Sequence, residues 1–271
     1  MGGVAERIEA FRALHASGCF LLPNPWDAGT AKFLAAQGFR ALATTSGGAA
    51  HARGVADGAM DLDATIAHVA EIVGATGLPV NADFGHGFGD DPDGVAAACT
   101  RCFQAGAAAL SVEDATDDAA RPLFALEEAV ARLRAARRAA DAAPGRPLLV
   151  GRAECFLTGH ADPLAESLKR IVAYAEAGAD VLYVPGITTP DEIGAIVRAV
   201  APKPVNLLVP RPIGLTMSEI AALGVRRVSL GGALSGVAWG AVMRAVAELQ
   251  QGCFDVLGAR APSGVLNDLF G

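Results

Sequence analysis

The chain has 271 residues, 52% of them hydrophobic and 19% charged, with 32 glycines and a formal net charge of −7 at pH 7. That much apolar surface in a chain long enough for one large core excludes global disorder, and the negative charge, with no concentrated Lys and Arg run to override it, argues against a nucleic-acid partner. No apolar run approaches the roughly 18 residues of a membrane span, Glu6, Arg7, Glu9 and Arg12 interrupt any secretory-signal core, and five scattered cysteines fit reduced thiols, so the expected location is cytoplasmic.

In chain order, the apolar run Cys19-Phe20-Leu21-Leu22-Pro23 opens a series of eight. The others span 39–46, 79–85, 108–114, 147–154, 179–185, 204–209 and 227–232. Two signals introduce them. Gly38, Gly106, Gly178 and Gly224 each follow an amphipathic stretch, where a left-handed helix C-terminus wants a residue without Cβ. Pro79, Pro147 and Pro204 each open an apolar run, at the strand position where a missing N–H costs least.

Between the runs, residues 62–75, 93–105, 124–142, 163–177, 190–201 and 216–223 mostly carry apolar residues at helical spacing. Apolar strands alternating with helices predict a parallel sheet covered on its outside, and eight such units predict a (β/α)8 TIM-type barrel. A doubly wound sheet is disfavoured because no G-x-G-x-x-G follows the first strand. The expected organisation is one barrel domain over 1–271. Its last part, 233–271, is a helical extension with an apolar helix near 237–249, of a kind that packs on a neighbouring subunit. Arg132, Arg134, Arg137 and Arg138 read as the solvated face of an Ala-rich helix, and Cys99 and Cys102 as helix packing rather than zinc or redox chemistry.

In a parallel barrel the chemistry sits where strands end. The predicted ends carry Asn24-Pro25-Trp26-Asp27, Thr44-Thr45-Ser46-Gly47-Gly48, Asn81-Ala82-Asp83-Phe84-Gly85-His86-Gly87, Glu113-Asp114, Arg152-Ala153-Glu154 and Asn206. Asp83 and Glu113, on adjacent strands at one height, suit a hard divalent cation whose other ligands are waters; alternatively each pairs with Arg152 or caps a helix. Ser46-Gly47-Gly48 offers backbone N–H groups to a carboxylate or an enolate oxygen, or is a plain turn. Arg152, inside an apolar strand, demands an anion, either substrate or Glu154. His51, His86 and His160 fall in loops on the same face and receive no assigned role.

On these residues the sequence resembles the isocitrate lyase and phosphoenolpyruvate mutase superfamily. The likeness covers Asn24-x-Trp26-Asp27-Ala28, Ser46-Gly47-Gly48, Gly54-Val55-Ala56-Asp57, a version of the D-x-D-x-G-x-G signature at 81–87, Glu113-Asp114 and Arg152-x-Glu154. The resemblance implies a barrel, commonly tetrameric with exchanged C-terminal helices, that binds Mg²⁺ or Mn²⁺ and an oxo acid or its enolate. It implies metal-side carboxylates at Asp83 and Glu113, an outer metal-water ligand at Asp57, and a weakened metal position at Asn81, where the signature has its first Asp. Ser46, Gly47 and Arg152 become the expected catalytic groups, and Trp26, Thr45, Gly48 and Asn206 join them in the expected substrate-binding set.

Two departures matter. Asn81 removes a negative charge, and the stretch 115–122 has neither the Cys of the lyase loop nor the Lys of the mutases, while Cys155 belongs to the fifth strand. The general acid is therefore unassigned. The expected function is a Mg²⁺-dependent lyase or decarboxylase that breaks a C–C bond of a small 2-oxo or 2-hydroxy dicarboxylate through an enolate. Candidate ligands are pyruvate, oxaloacetate and 2-oxoglutarate, and the expected assembly is a homo-oligomer, dimer or tetramer. A P–C bond enzyme and an oxo-acid-binding barrel with little turnover are the alternatives.

Overall fold

The computed structural model describes residues 3–116 and 118–271; Met1, Gly2 and Asp117 of the divergent loop lie outside the described residues. Eight strands form one parallel sheet: β1 Phe20–Leu22, β2 Leu42–Ala43, β3 Val80–Asp83, β4 Ala109–Glu113, β5 Leu148–Arg152, β6 Val181–Tyr183, β7 Val205–Leu208 and β8 Arg227–Ser229. They are shorter than the apolar runs that announce them, because each run continues past its ladder into the adjoining loops. Helices α1 Val4–Ala16, α2 Ala28–Ala36, α3 Ser46–Ala52, α4 Leu62–Ala75, α5 Pro92–Gln104, α6 Leu126–Ala142, α7 Pro163–Glu176, α8 Pro190–Val200 and α9 Met217–Ala222 accompany them.

The sheet order β1-β8-β7-β6-β5-β4-β3-β2 rolls the strip until its ends meet. Phe20, Leu21 and Leu22 pair with Arg227, Val228 and Ser229. Across the remaining seam no ladder forms among the described residues; Ala43 N–H donates to Pro23 O at 3.0 Å, and Asn24 Nδ2 donates to Thr44 O at 2.8 Å. Asn24 Oδ1 accepts from Leu230 N and Gly231 N, both at 2.9 Å, so one buried amide ties the seam to the end of β8.

Local chemistry explains the helix starts. Asp91, Asp162 and Thr189 cap α5, α7 and α8, and each is followed by a proline at a position whose N–H would otherwise be orphaned. At the other end, Gly106 takes φ +95°, and a Cβ there would meet Val73 Cγ1 at 2.9 Å. The core has two layers. Outward-facing strand residues such as Leu110, Leu149, Leu182 and Val228 pack under the helices, while Phe20, Leu22, Ala43, Ala109, Val150, Val181 and Tyr183 fill the interior, with Ile8 and Phe11 of α1 among them.

Two readings need correction. Ser46-Gly47-Gly48 is the first turn of α3, not a plain turn: Thr45 caps it through a Gly48 N–H bond of 3.2 Å. Arg132 and Arg137 are buried, not solvated: Arg132 donates to His86 O and Gly89 O at 2.8 Å each, and Arg137 pairs with Asp180 at 2.7 Å. Only Arg134 and Arg138 face outward, because α6 is covered on more than one side. The C-terminal extension contains α10 Ala233–Gln250, a 3₁₀ turn at Asp255–Ala259 and α11 Ser263–Phe270. The last helix rests on α2 of its own chain, while α10 leaves Val237 and Met243 69% and 66% exposed. Among the described residues no helix is long and apolar enough to cross a membrane. Cys99, Cys102 and Cys155 are buried and unbridged.

Candidate active site

At the C-terminal ends of the strands lies a cavity of about 270 Å³, and beside it a second of about 410 Å³; Thr44, Ser46, Asp57, Asp83 and Arg152 line both. The shared wall is a charge cluster. Arg152, at the end of β5, places Nη1 3.2 Å from Asp83 Oδ1 and 2.9 Å from Glu113 Oε2, while its Nε bonds Glu154 Oε1. The register makes this possible, since Glu113 of β4 lies directly beside Arg152 of β5. Asp83 is held from the other side by Ser46 N–H at 3.1 Å, and its own N–H donates to Thr44 Oγ1 at 2.8 Å.

Three carboxyl groups share one guanidinium and exceed it in charge when all are ionised. Burial pushes the Glu113 carboxyl up to about 8 against the opposing pull of Arg152, with Glu154, Asp83 and Asp114 adding to the rise. Glu154 is raised for the same first reason, burial. Burial by itself would discharge Arg152, but Glu113 and Glu154 hold it firmly protonated. Asp114, adjacent in sequence, is a brace instead. It is 2% exposed and accepts from Glu154 N at 2.8 Å, Arg170 Nη1 at 2.9 Å and Tyr174 Oη, which ties β4, β5 and α7 together.

The donor set suits a hard cation. Asp83 and Glu113 present oxygens at one guanidinium nitrogen, and Asp57 lies across Gly47, where a Cβ would come 2.8 Å from Asp57 Oδ2. Among the described residues no three His, Cys, Asp or Glu side chains already converge as a closed ligand set. A cation here would keep several waters, as Mg²⁺ commonly does with one or two carboxylates. Asn81 is not free to join it: Oδ1 accepts from Arg227 Nη1 at 3.2 Å and Nδ2 donates to Ala82 O at 3.1 Å.

The structure brings Thr45, Ser46, Gly47, Gly48, Asp57, Asn81, Asp83, Arg152 and Asn206 to the first cavity and Glu113 to the second. Trp26 is outside both. It lines a shallow surface groove with Trp239 and Val242, and stands behind Gly48, whose Cβ would meet Trp26 Cβ at 3.1 Å. His51 lines the first cavity and His86 the second, whereas His160 is an exposed loop residue. No described residue of 115–122 lines either cavity.

Two lining residues escaped the sequence reading. Tyr183, at the end of β6, is 8% exposed with its ring 5.1 Å from the Arg152 guanidinium, and its hydroxyl has no hydrogen-bond partner among the described residues. Burial, offset in part by Arg152, raises the phenol well above its ordinary value, so it holds its proton. Arg227, in β8, is 2% exposed and lines the cavity too. Strand alternation is the signal for both, since it turns Val181 and Tyr183, or Arg227 and Ser229, to one face.

Comparison with known proteins gives three kinds of match. Residues 11–250 match the model of the family described as phosphoenolpyruvate phosphomutase. A solved structure from Burkholderia cenocepacia J2315, provisionally described as a lyase/mutase, is 49% identical and superposes with a TM-score of 0.95 over 98% of this chain and 97% of that one. A phosphonopyruvate hydrolase complex with oxalate and Mg²⁺ is 27% identical, with a TM-score of 0.86 over 98% of this chain and 95% of that one. The oxaloacetate decarboxylase of Rhodopseudomonas palustris (strain BisB5) is 34% identical over 66% of this chain and 61% of its own length.

Proposed function

This chain belongs to the phosphoenolpyruvate phosphomutase family, and from that premise we propose that it is a Mg²⁺- or Mn²⁺-dependent carbon–carbon lyase. Its substrate is a small 2-oxo or 2-hydroxy dicarboxylate, cleaved through an enolate. The observation that carries the reading is the meeting of Asp83, Glu113 and Arg152 at the rim of a cavity sized for a small acid. The likeness to an oxaloacetate decarboxylase and to an oxalate- and Mg²⁺-bound hydrolase supports it.

Asp83 and Glu113 would hold the cation, with Asp57 on one of its waters; when bound, it supplies Lewis-acid polarisation of the 2-oxo group. Arg152 orients the neighbouring carboxylate of the substrate, and Ser46 and Gly47 border the oxygen on which charge develops. In oxaloacetate the C3–C4 bond breaks, its electron pair stays on C3 as the enolate of pyruvate, and C4 leaves as CO₂. Tyr183 then protonates the enolate carbon through its Oη–H and recovers the proton from solvent. This role uses the only phenol of the first cavity, a hydroxyl with no hydrogen-bond partner among the described residues.

The test is proton NMR of oxaloacetate incubated with protein and Mg²⁺, against protein-free and chelated controls. Metal-dependent cleavage is expected, and Tyr183→Phe should keep substrate affinity while losing about 10²- to 10⁴-fold in turnover. Absence of metal-dependent binding of oxalate, together with absence of cleavage, removes the reading. Cleavage of phosphonopyruvate but not of oxaloacetate would replace it with P–C chemistry, for which Arg227 is a further cation. The same reading carries a homo-oligomer, dimer or tetramer, checked by light scattering.

A further inference from the structure

Arg227 is a charge without a counter-charge. Its Nε donates to Asn206 Oδ1 at 2.8 Å and its Nη1 to Asn81 Oδ1 at 3.2 Å, both neutral acceptors. Among the described residues no carboxylate lies in ion-pair range and Nη2 has no hydrogen-bond partner. The two amides cannot turn away: Asn206 Nδ2 donates to Ser229 Oγ at 2.9 Å, and Asn81 Nδ2 to Ala82 O at 3.1 Å. Each therefore aims its oxygen at the guanidinium and fixes its position without neutralising it. Burial lowers the Arg227 pKa to about 10, still well above neutral, so the group stays charged.

A buried guanidinium fixed by neutral groups and opening onto a cavity is costly in the free protein unless something anionic arrives. The same cavity supplies a matching partner in Ser229, whose Oγ accepts from Asn206 Nδ2 and keeps its own O–H to donate. We infer that Arg227 forms a second anion subsite in this cavity, which takes the distal carboxylate of the dicarboxylate substrate while the 2-oxo end meets Asp83, Glu113 and Arg152. One guanidinium edge and one hydroxyl match the two oxygens of a carboxylate; a phosphonate dianion would ask for more donors.

The substrate named here rests on the lyase reading, but the subsite is tested by binding alone. Calorimetry with Mg²⁺ compares pyruvate with oxaloacetate and 2-oxobutyrate with 2-oxoglutarate, pairs that differ by a distal carboxylate. In the better pair the native protein should bind the diacid at least about ten-fold tighter. Arg227→Met should reduce that preference to under about three-fold while leaving the monoacid unchanged. Asn81→Asp, which keeps the arginine and neutralises it, should do the same. A preference that survives Arg227→Met in a protein of native thermal midpoint overturns the subsite, as does monoacid binding with no diacid advantage, which would leave the lyase reading standing. Diacid binding that depends on Arg227 without any pyruvate binding keeps the subsite and removes the metal-side reading. If neither acid binds, both fall. Methylphosphonate binding more tightly than acetate in an Arg227-dependent way overturns the carboxylate assignment.

Discussion

Arg152 and Arg227 line one cavity from β5 and β8, and their surroundings are opposites. Arg152 touches three carboxylates and leaves a cluster with excess negative charge; Arg227 touches two amides and keeps its whole charge. The first arrangement asks for a cation and the second for an anion. A small acid carrying a metal at one end satisfies both, so the ligand can be inferred from which charges the protein leaves uncompensated.

The largest expected effect is at the crowded arginine. Arg152→Met leaves Asp83, Glu113 and Glu154 facing one another without a counter-charge and should destabilise the fold by about 3–5 kcal/mol at neutral pH. Urea denaturation checks this, and a loss under about 1 kcal/mol would mean that the carboxylates rearrange and that the contrast is overstated.

Next in size is a pH effect in the field of Arg227. Burial, with Arg227 second, lowers His15 to about 3, and its Nδ1 bonds the uncharged Phe11 O at 2.8 Å. Because the folded value lies below the unfolded 6.5, the stability is complete above pH 6.5 and is lost as pH falls towards 3, by roughly 2–4 kcal/mol. His15→Leu should flatten that slope in denaturation curves. In Arg227→Met the His15 resonance should titrate higher, yet still below 6.5, since burial remains the leading cause.

Arg227→Met itself should leave stability unchanged or raise it by about 1–2 kcal/mol, as replacement of a buried charge at a functional site often does. A clear loss of stability would make Arg227 a structural group and level the contrast with Arg152. The smallest effect is at the rim. Gly47→Ala pushes a methyl into Asp57 Oδ2, a flexible carboxylate that can swing aside, so stability should change by under about 1 kcal/mol. Mg²⁺ affinity, followed by calorimetry, should weaken several-fold if Asp57 holds a metal water.

The barrel was legible because its punctuation is local physics: a left-handed glycine after several helices and a proline before several strands are set by the backbone itself. The rim was partly legible for the same reason, since residues at strand ends cluster whatever the packing. What escaped was decided by long-range contacts. Two glycines left a plain turn open for Ser46-Gly47-Gly48, yet the Thr45 cap and the close approach of Trp26 and Ser235 to Gly48 sustain a helix. The same packing explains why Trp26, adjacent to the site in sequence, supports it from behind. Arg132 and Arg137 were misplaced because an Ala-rich helix has too little hydrophobic contrast to show its buried faces. Arg226 and Arg227 look alike in the sequence; only the strand period separates the one that bonds Gly18 O outside from the one inside the barrel.

The pairing of Phe20 with Arg227 also sets an order of events. A ribosome delivers β1 early and β8 some two hundred residues later, so β2 to β7 can assemble as an open, curved sheet well before the ring is able to shut. The last strand brings Arg227 into the barrel, a guanidinium that lacks a counter-ion among the described residues, and Asn206 and Asn81 are already in place to receive it. Closure of the ring and arrival of the anion-seeking charge are one step, which spares the growing chain an uncompensated cation in its half-built core.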